Sequence, residues 1–252
     1  MSTPLRRFHD RRLAMLITYR DVEVPIQYQG CLGEHSWTRT NASLFDFGYA
    51  LIPAHVRESS KTELTTIAIH GPLSENTLAD LDLTVSLTHP QQTPWGTIWL
   101  SPNSDLGEVG FELHIPAATV DAFCEKLCSN NSVHPAGLAA YNSLRIEAGL
   151  PLQGYEFSNT DDSELVPTIE HSQTRLVGLV SQDDKPLREK SELVAKDGTF
   201  MGVITSATYG PTIGSHIGLG YVSVDREHGE TLKTVGNSCE VNILLTKLPL
   251  LS

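Results

Sequence analysis

The chain has 252 residues, 40% of them hydrophobic, which is enough to build a substantial core in one large domain or two smaller ones. Its 18 Lys and Arg stand against 30 Asp and Glu, for a net charge of -12. That balance excludes general affinity for nucleic acid or an anionic membrane, both of which need a surplus of cations, so an anionic ligand has to be held by local groups.

The first twenty residues, MSTPLRRFHDRRLAMLITYR, are Arg-rich. They contain Asp10 and lack the Ser-rich, acid-poor character of a transit peptide, so an ordinary domain start is expected. No apolar run approaches the roughly 20 residues of a membrane span. From Asp21 the chain reads DVEVPIQYQGCLGEHSWTRTNASLFDFGYA, in which Glu34 to Arg39 can form a polar helix face and Asp46 can cap a turn. The segment 50–66, ALIPAHVRESSKTELTT, is short, contains no Asp, and carries Glu58 and Glu63 as linker charges. A strand, a Gly-Pro turn and a helix follow in TIAIHGPLSENTLADL, with Ser74 as the expected N-cap and Leu78 and Leu81 turned inward.

Thr97–Leu100 and Val109–Ile115 read as two strands joined by the turn Asn103 to Gly107, and Val120, Phe123, Cys124 and Leu127 form a helical stripe. On such a strand Glu112 points outward, alternating with Phe111 and Leu113. Leu138, Tyr141, Leu144 and Ala148 recur at helical spacing; Gly149 can take a left-handed cap and Pro151 cannot continue the helix. Residues 158–174 are polar and acidic, as expected of a linker.

From Arg175 the texture changes to short apolar strands, RLVGLV, ELVA, FMGVITSATYGPTIGSHIGLGYV and CEVNILLTKL, separated by Gly, Asp and Pro turns. This pattern predicts a small antiparallel barrel. Its glycines lack G-x-G-x-x-G spacing and are turn glycines, not a dinucleotide loop. The cysteines at 31, 124, 128 and 239 form no paired framework, and their apolar neighbours predict buried thiols of a reducing, cytoplasmic compartment. No His or Cys pair at ligand spacing supplements Cys124 and Cys128, so no metal site is expected.

The phrase SLRIEAGLPL over 143–152 resembles the signature of the glycine cleavage T protein, a tetrahydrofolate-dependent aminomethyltransferase, and of related folate-binding demethylases. The likeness extends to Pro25, Gln27 and Tyr28, to Glu34, His35, Arg39 and Thr40, to Leu44, Phe45 and Asp46, to Gly107, Glu108, Gly110, Phe111, Glu112 and Pro116, and to Gly202–Gly214 with Ile217 to Val222. The resemblance implies an α+β fold: a folate-binding region of antiparallel sheet and helices at 1–157, shortened, then the linker 158–174 and a C-terminal antiparallel β-barrel at 175–252. It implies tetrahydrofolate as cofactor, a small-molecule one-carbon donor as partner, and Glu112 as the group that receives hydrogen bonds from the pterin. A carboxylate suits that task because a pterin presents an amino group and a ring N–H side by side. Tyr28, Tyr141, Asn142 and Arg145 complete the cofactor-binding set that the resemblance implies, with Arg145 and Glu147 also resembling scaffold residues.

Two positions depart from the family. The segment that carries an acidic residue near the reacting nitrogens is missing after Tyr49, leaving Asp46, Glu58 and Tyr141 as candidate proton handlers. The Arg-Asp that precedes Ser-Leu-Arg in the family is Tyr141-Asn142 here. Two functions are therefore expected: transfer of a one-carbon unit from a methylated or aminomethylated donor to tetrahydrofolate, or a non-catalytic folate-binding accessory module. A protein partner could complete the shortened folate region.

Overall fold

The computed structural model describes residues 3–85, 89–152, 156, 173–235 and 240–251. The chain divides into two compact units, Met1–Tyr141 and Asn142–Ser252. The expected linker lies outside the described residues over 158–172.

The first unit opens with helix α1 (Arg6–Arg11) and a hairpin of β1 (Met15–Tyr19) and β2 (Val22–Gln27), none of which the sequence patterns announced. The polar 31–40 segment is helix α2 (Cys31–Thr40), as its composition suggested. Then follow β3 (Ala42–Asp46), α3 (Ala54–Ser59), β4 (Leu64–His70) and α4 (Ser74–Ala79). The unit continues through β5 (Gln91–Thr93), β6 (Gly96–Pro102), β7 (Gly110–Pro116), α5 (Val120–Leu127) and β8 (Val133–Pro135). One six-stranded sheet runs β5-β6-β7-β4-β3-β8. Its pairs are antiparallel except β3 with β8, which is parallel.

The short segment 50–66 holds α3, which buries Val56. Ser74 is the first helical residue of α4 and not its N-cap; its hydroxyl donates to the carbonyls of Gly71 and Val109, tying the helix start to the preceding turn. Leu78 is buried and Leu81 packs against the same core, as the spacing predicted. Cys124 is buried, while Cys31 and Cys128 are half-buried free thiols; Cys239 lies outside the described residues.

Strand alternation gives the sheet two faces. Leu44, Ile67, Ile69, Phe111, Leu113 and Ile115 point to one face, where Leu5 and Phe8 of α1, Leu78 of α4 and the α5 stripe Val120, Phe123, Cys124 and Leu127 cover them. Phe45, Ala68 and Glu112 are cross-strand neighbours on the other face, one step from Thr66, His114 and Trp99.

Helix α6 (Leu138–Glu147) crosses from one unit to the next. It ends as predicted: Gly149 sits at φ 71°, its N–H donates to the Ile146 carbonyl, and Leu150 N–H reaches back to Arg145, which is a Schellman motif. In the second unit β9 (Thr174–Ser181), β10 (Glu192–Val194), β11 (Phe200–Gly210), β12 (Ser215–Ser223), β13 (Thr231–Val235) and β14 (Asn242–Thr246) close a barrel in the order β10-β11-β12-β9-β14-β13. Its interior is apolar, with Val177, Leu179, Ile204, Val222, Ile243 and Leu245 buried. No described helix is long and apolar enough to cross a membrane.

Candidate functional site

Glu112 occupies the open face of the first unit's sheet. Its side chain is 24% exposed, between fully wet and buried. Among the described residues one polar group approaches each carboxylate oxygen, and only Asn103 donates a hydrogen bond. His114, two residues on and therefore on the same face, places Nε2 3.3 Å from Oε1, and Asn103 of the β6–β7 turn places Nδ2 3.4 Å from Oε2. Burial pushes the Glu112 carboxyl above its ordinary value, and the Asn103 hydrogen bond opposes that shift. With two acceptor sites per oxygen and one hydrogen bond from the described residues, on Oε2, the carboxylate retains acceptor sites on both oxygens for a ligand with paired donors.

Three side chains around Glu112 carry further chemistry. His114 is 3% exposed and its Nδ1 lies 3.0 Å from Thr66 Oγ1, its cross-strand partner. Burial, with a smaller contribution from His55 of α3, lowers its imidazole to about 4. His70 sits over Gly110, where a Cβ would come within 2.1 Å of the ring Nδ1, so only glycine fits beneath it. His70 is fully buried, neither ring nitrogen has a hydrogen-bond partner among the described residues, and burial lowers it to about 4. Trp99, the cross-strand partner of His114, borders a groove of about 670 Å³ that also touches Pro116, Gln92 and Lys61.

Tyr141 is buried edge-on against Phe45 and Phe47, at centroid distances of 5.9 and 5.1 Å. With Asp46 and Tyr49 they enclose a cavity of about 10 Å³, room for about one water. Burial raises the Tyr49 hydroxyl well above its ordinary range.

Asp46 borders that cavity, but its carboxylate and the Tyr28 hydroxyl are engaged away from Glu112. Asp46 alternates with Phe45, so its side chain joins Leu44 on the helix-covered face and is 1% exposed. Its Oδ2 is 2.8 Å from His9 Nε2 and its Oδ1 accepts the Gly48 N–H at 2.8 Å. The other nitrogen of His9 meets the Tyr28 hydroxyl at 2.8 Å. His9 thus bridges Asp46 through Nε2 and the Tyr28 hydroxyl through Nδ1. The tyrosine hydroxyl is held well above its ordinary range by burial and then by Asp46. The strand pattern thus separates Tyr28 and Asp46 from Glu112, though the sequence grouped Tyr28 with it. Glu58 is exposed on α3.

Asn142 and Arg145 belong to the second unit. Arg145 is 1% exposed; its Nε donates to Asn142 Oδ1 at 2.9 Å, Nη1 to the Leu150 carbonyl and Glu156, and Nη2 to Ser206 Oγ at 2.8 Å. Glu156 in turn accepts from Leu152 N–H, Thr205 Oγ1 and Ser206 Oγ. A register shift in β11 between Ile204 and Ser206 lets two consecutive hydroxyls turn to the same carboxylate. Glu147 accepts the Thr212 N–H at 2.8 Å. These bonds hold the helix end to the barrel.

Sequence reasoning passed over His9, Thr66, His70 and His114. Alternation from Glu112 contains the signal for His114 and, once β4 is paired with β7, for Thr66. The His9 contacts with Tyr28 and Asp46 join three distant segments and leave no local pattern. Among the described residues no group of three or more His, Cys, Asp or Glu side chains is placed to hold a metal ion.

The family profile described as the GCVT N-terminal domain matches residues 49–164, and the profile of the glycine cleavage T-protein C-terminal barrel domain matches residues 174–251. The chain is 28% identical over 227 residues to the aminomethyltransferase of Saccharopolyspora erythraea, an alignment covering 76% of this chain and 59% of that protein. It is 28% identical over 252 residues to that of Cupriavidus necator, covering 86% and 66%. The mitochondrial aminomethyltransferase of Gallus gallus is 31% identical over 168 residues, covering 57% and 43%. The matches thus span about two fifths to two thirds of these curated relatives' length. The crystal structure of glycine cleavage system aminomethyltransferase T from Bartonella henselae superposes with a TM-score of 0.83 over 100% of this chain and 98% of that one, at 20% identity, a likeness of fold.

Proposed function

Because the chain belongs to the glycine cleavage T-protein family, we propose that it binds tetrahydrofolate at Glu112 and transfers a one-carbon unit to it from a small methylated or aminomethylated donor. The observation that carries this reading is the Glu112 carboxylate itself. It is partly exposed, sits within the Gly-Glu-x-Gly-Phe-Glu phrase, and keeps an acceptor site open on each oxygen. A bidentate donor edge such as that of a pterin fits this arrangement, whereas a surface carboxylate ringed by lysines would not select it.

Bound there, tetrahydrofolate supplies the nitrogens that accept the one-carbon unit. The protein's part is to anchor the pterin through Glu112 and to exclude water with the aromatic wall of Phe45, Phe47 and Tyr141, so that catalysis rests on orientation more than on a strong acid. Arg145 and Asn142, whose polar groups bond to each other and to their own unit, are assigned to the scaffold.

A second reading has one specific observation behind it. Asp46 commits both oxygens to His9 and Gly48, and Glu58 is exposed on α3, so neither carboxylate is a free proton handler beside Glu112. A folate-binding accessory module, its site completed by a protein partner, accommodates that fact. Incubating the purified chain with tetrahydrofolate and a panel of amine and sulfonium donors separates the two. Formation of methylene- or methyl-tetrahydrofolate supports the transferase; saturable folate binding without turnover for any donor supports the module.

A further inference from the structure

We propose that the groove beside Trp99 is the subsite for the tail of the folate whose pterin Glu112 anchors: the aminobenzoyl ring lies against Trp99, and Lys61 pairs with the glutamate carboxylates at the tail's end. This rests on the folate-binding reading of the same sheet face. The groove, about 670 Å³, falls within the range of small-molecule sites. It is bounded by residues 59–62 after α3, by β5 and β6, and by Pro116 at the end of β7. Cross-strand register puts it on the Glu112 face: Ser101 stands opposite Glu112, Trp99 opposite His114, and Thr97 two residues further along β6. From Ser101 to Thr97 the strand rises about 13 Å, the scale of an extended aminobenzoyl-glutamate. Ser101 and Trp99 are half-buried, so the face stays open to solvent between the carboxylate and the groove.

The lining has the chemistry that such a tail needs. Trp99 and Pro116 offer apolar surface on which an aromatic ring packs. The Thr97 hydroxyl donates to Gln92 Oε1 at 3.2 Å, which leaves the Gln92 amide nitrogen as a donor for the carbonyl that joins ring to glutamate. Lys61 is the one charged side chain in the lining, which contains no Asp or Glu although the chain carries a net charge of -12. Its neighbours in sequence, Glu58 and Glu63, do not line the groove. An anion approaching so acidic a chain has to be held by a local cation, and the groove supplies one. The turns that shape it are anchored. Ser60 Oγ donates to the Thr62 carbonyl at 2.8 Å and accepts the Thr62 N–H at 3.2 Å, fixing the turn that carries Lys61. Thr119 Oγ1 donates to the Trp95 carbonyl at 2.6 Å, and Gly96, at φ 102°, lies where a Cβ would come within 3.0 Å of Pro116 Cγ.

Calorimetry on the full chain tests this by comparing tetrahydrofolate with methyltetrahydropterin, which has the same donor edge and no tail. Wild type binds tetrahydrofolate about tenfold more tightly or better. Trp99→Leu removes most of that preference, and Lys61→Ala weakens tetrahydrofolate about two- to fivefold, the worth of an exposed ion pair. Both variants hold methyltetrahydropterin as wild type does, whereas Glu112→Ala weakens both ligands. Lys61 is exposed, so its variant keeps the test independent of folding. NMR supplies a second readout: the Trp99 indole N–H resonance shifts with tetrahydrofolate and not with methyltetrahydropterin, while that of Trp37, stacked on His134 outside the groove, stays in place with either. Equal wild-type affinities for the two ligands, both lowered by Glu112→Ala, overturn the tail subsite and leave the folate reading standing. Equal losses of both ligands in Trp99→Leu and in Lys61→Ala, or one Trp99 response to the two ligands, overturn it as well. A wild type that binds neither ligand defeats the folate reading and the tail subsite together.

Discussion

Arg145 and Glu156 are 1% and 2% exposed, and each spends its polar atoms on partners in its own unit. Removing one member of a buried pair strands the other's charge, which costs more than the pair contributes. Arg145→Met should therefore destabilise the chain by roughly 3–5 kcal/mol in urea unfolding, with little change in ligand affinity per folded molecule. A loss of affinity without a loss of stability would return Arg145 to the ligand site. The opposite logic applies to His70 and His114, each held at about 4 by burial against an ordinary 6.5. Between those values the unfolded chain takes up protons that the folded chain refuses, so stability present above pH 6.5 is lost as the pH falls towards 4. His70→Gln, neutral throughout, should flatten that loss; equal urea midpoints for wild type and variant at pH 7, and an equal drop at pH 5, would contradict it. Glu112 was legible in the sequence because its phrase and its strand alternation coincide. His70 was not, since a histidine before a Gly-Pro turn carries no sign that its ring will be buried over Gly110.

The strands that the sequence announced, β4, β6, β7 and most of the barrel, are those whose apolar residues run together between turn residues. The N-terminal hairpin stayed hidden for a definite reason. Its two-residue turn is Arg20-Asp21, with both residues at positive φ, 49° and 63°, a job usually given to Asn-Gly. Replacing Arg20-Asp21 by Asn-Gly should stabilise the first unit by about 0.5–1 kcal/mol in thermal unfolding; no gain would mean that the turn is held from outside the hairpin. Strand β13, TLKTV, was missed because it is mostly polar and shows no apolar run. The end of α6 was legible to the residue, since Gly149 and Pro151 are chemical stop signals. Gly149→Ala, forced to φ 71° with Leu248 Cβ 2.9 Å from the new methyl, should cost at least about 1 kcal/mol.

At the scale of the whole molecule, family membership and fold agree. The segment after Tyr49 is short, yet it supplies α3 and brings His55 into the electrostatic neighbourhood of His114. The first unit thus carries the proposed folate anchor, and the Arg145 and Glu147 phrase that identified the family serves the barrel. The charge of -12 sets no barrier to a pterin bound through its donor edge, since that contact asks for an acceptor and not a cation. The most direct test is calorimetric titration of tetrahydrofolate into wild type and Glu112→Ala, both confirmed folded. Loss of a charge-assisted bidentate contact should weaken binding by roughly 1.5–3 kcal/mol, about ten- to a hundredfold. Equal affinity in the two proteins, or no binding by either, would contradict the assignment of the pterin to Glu112.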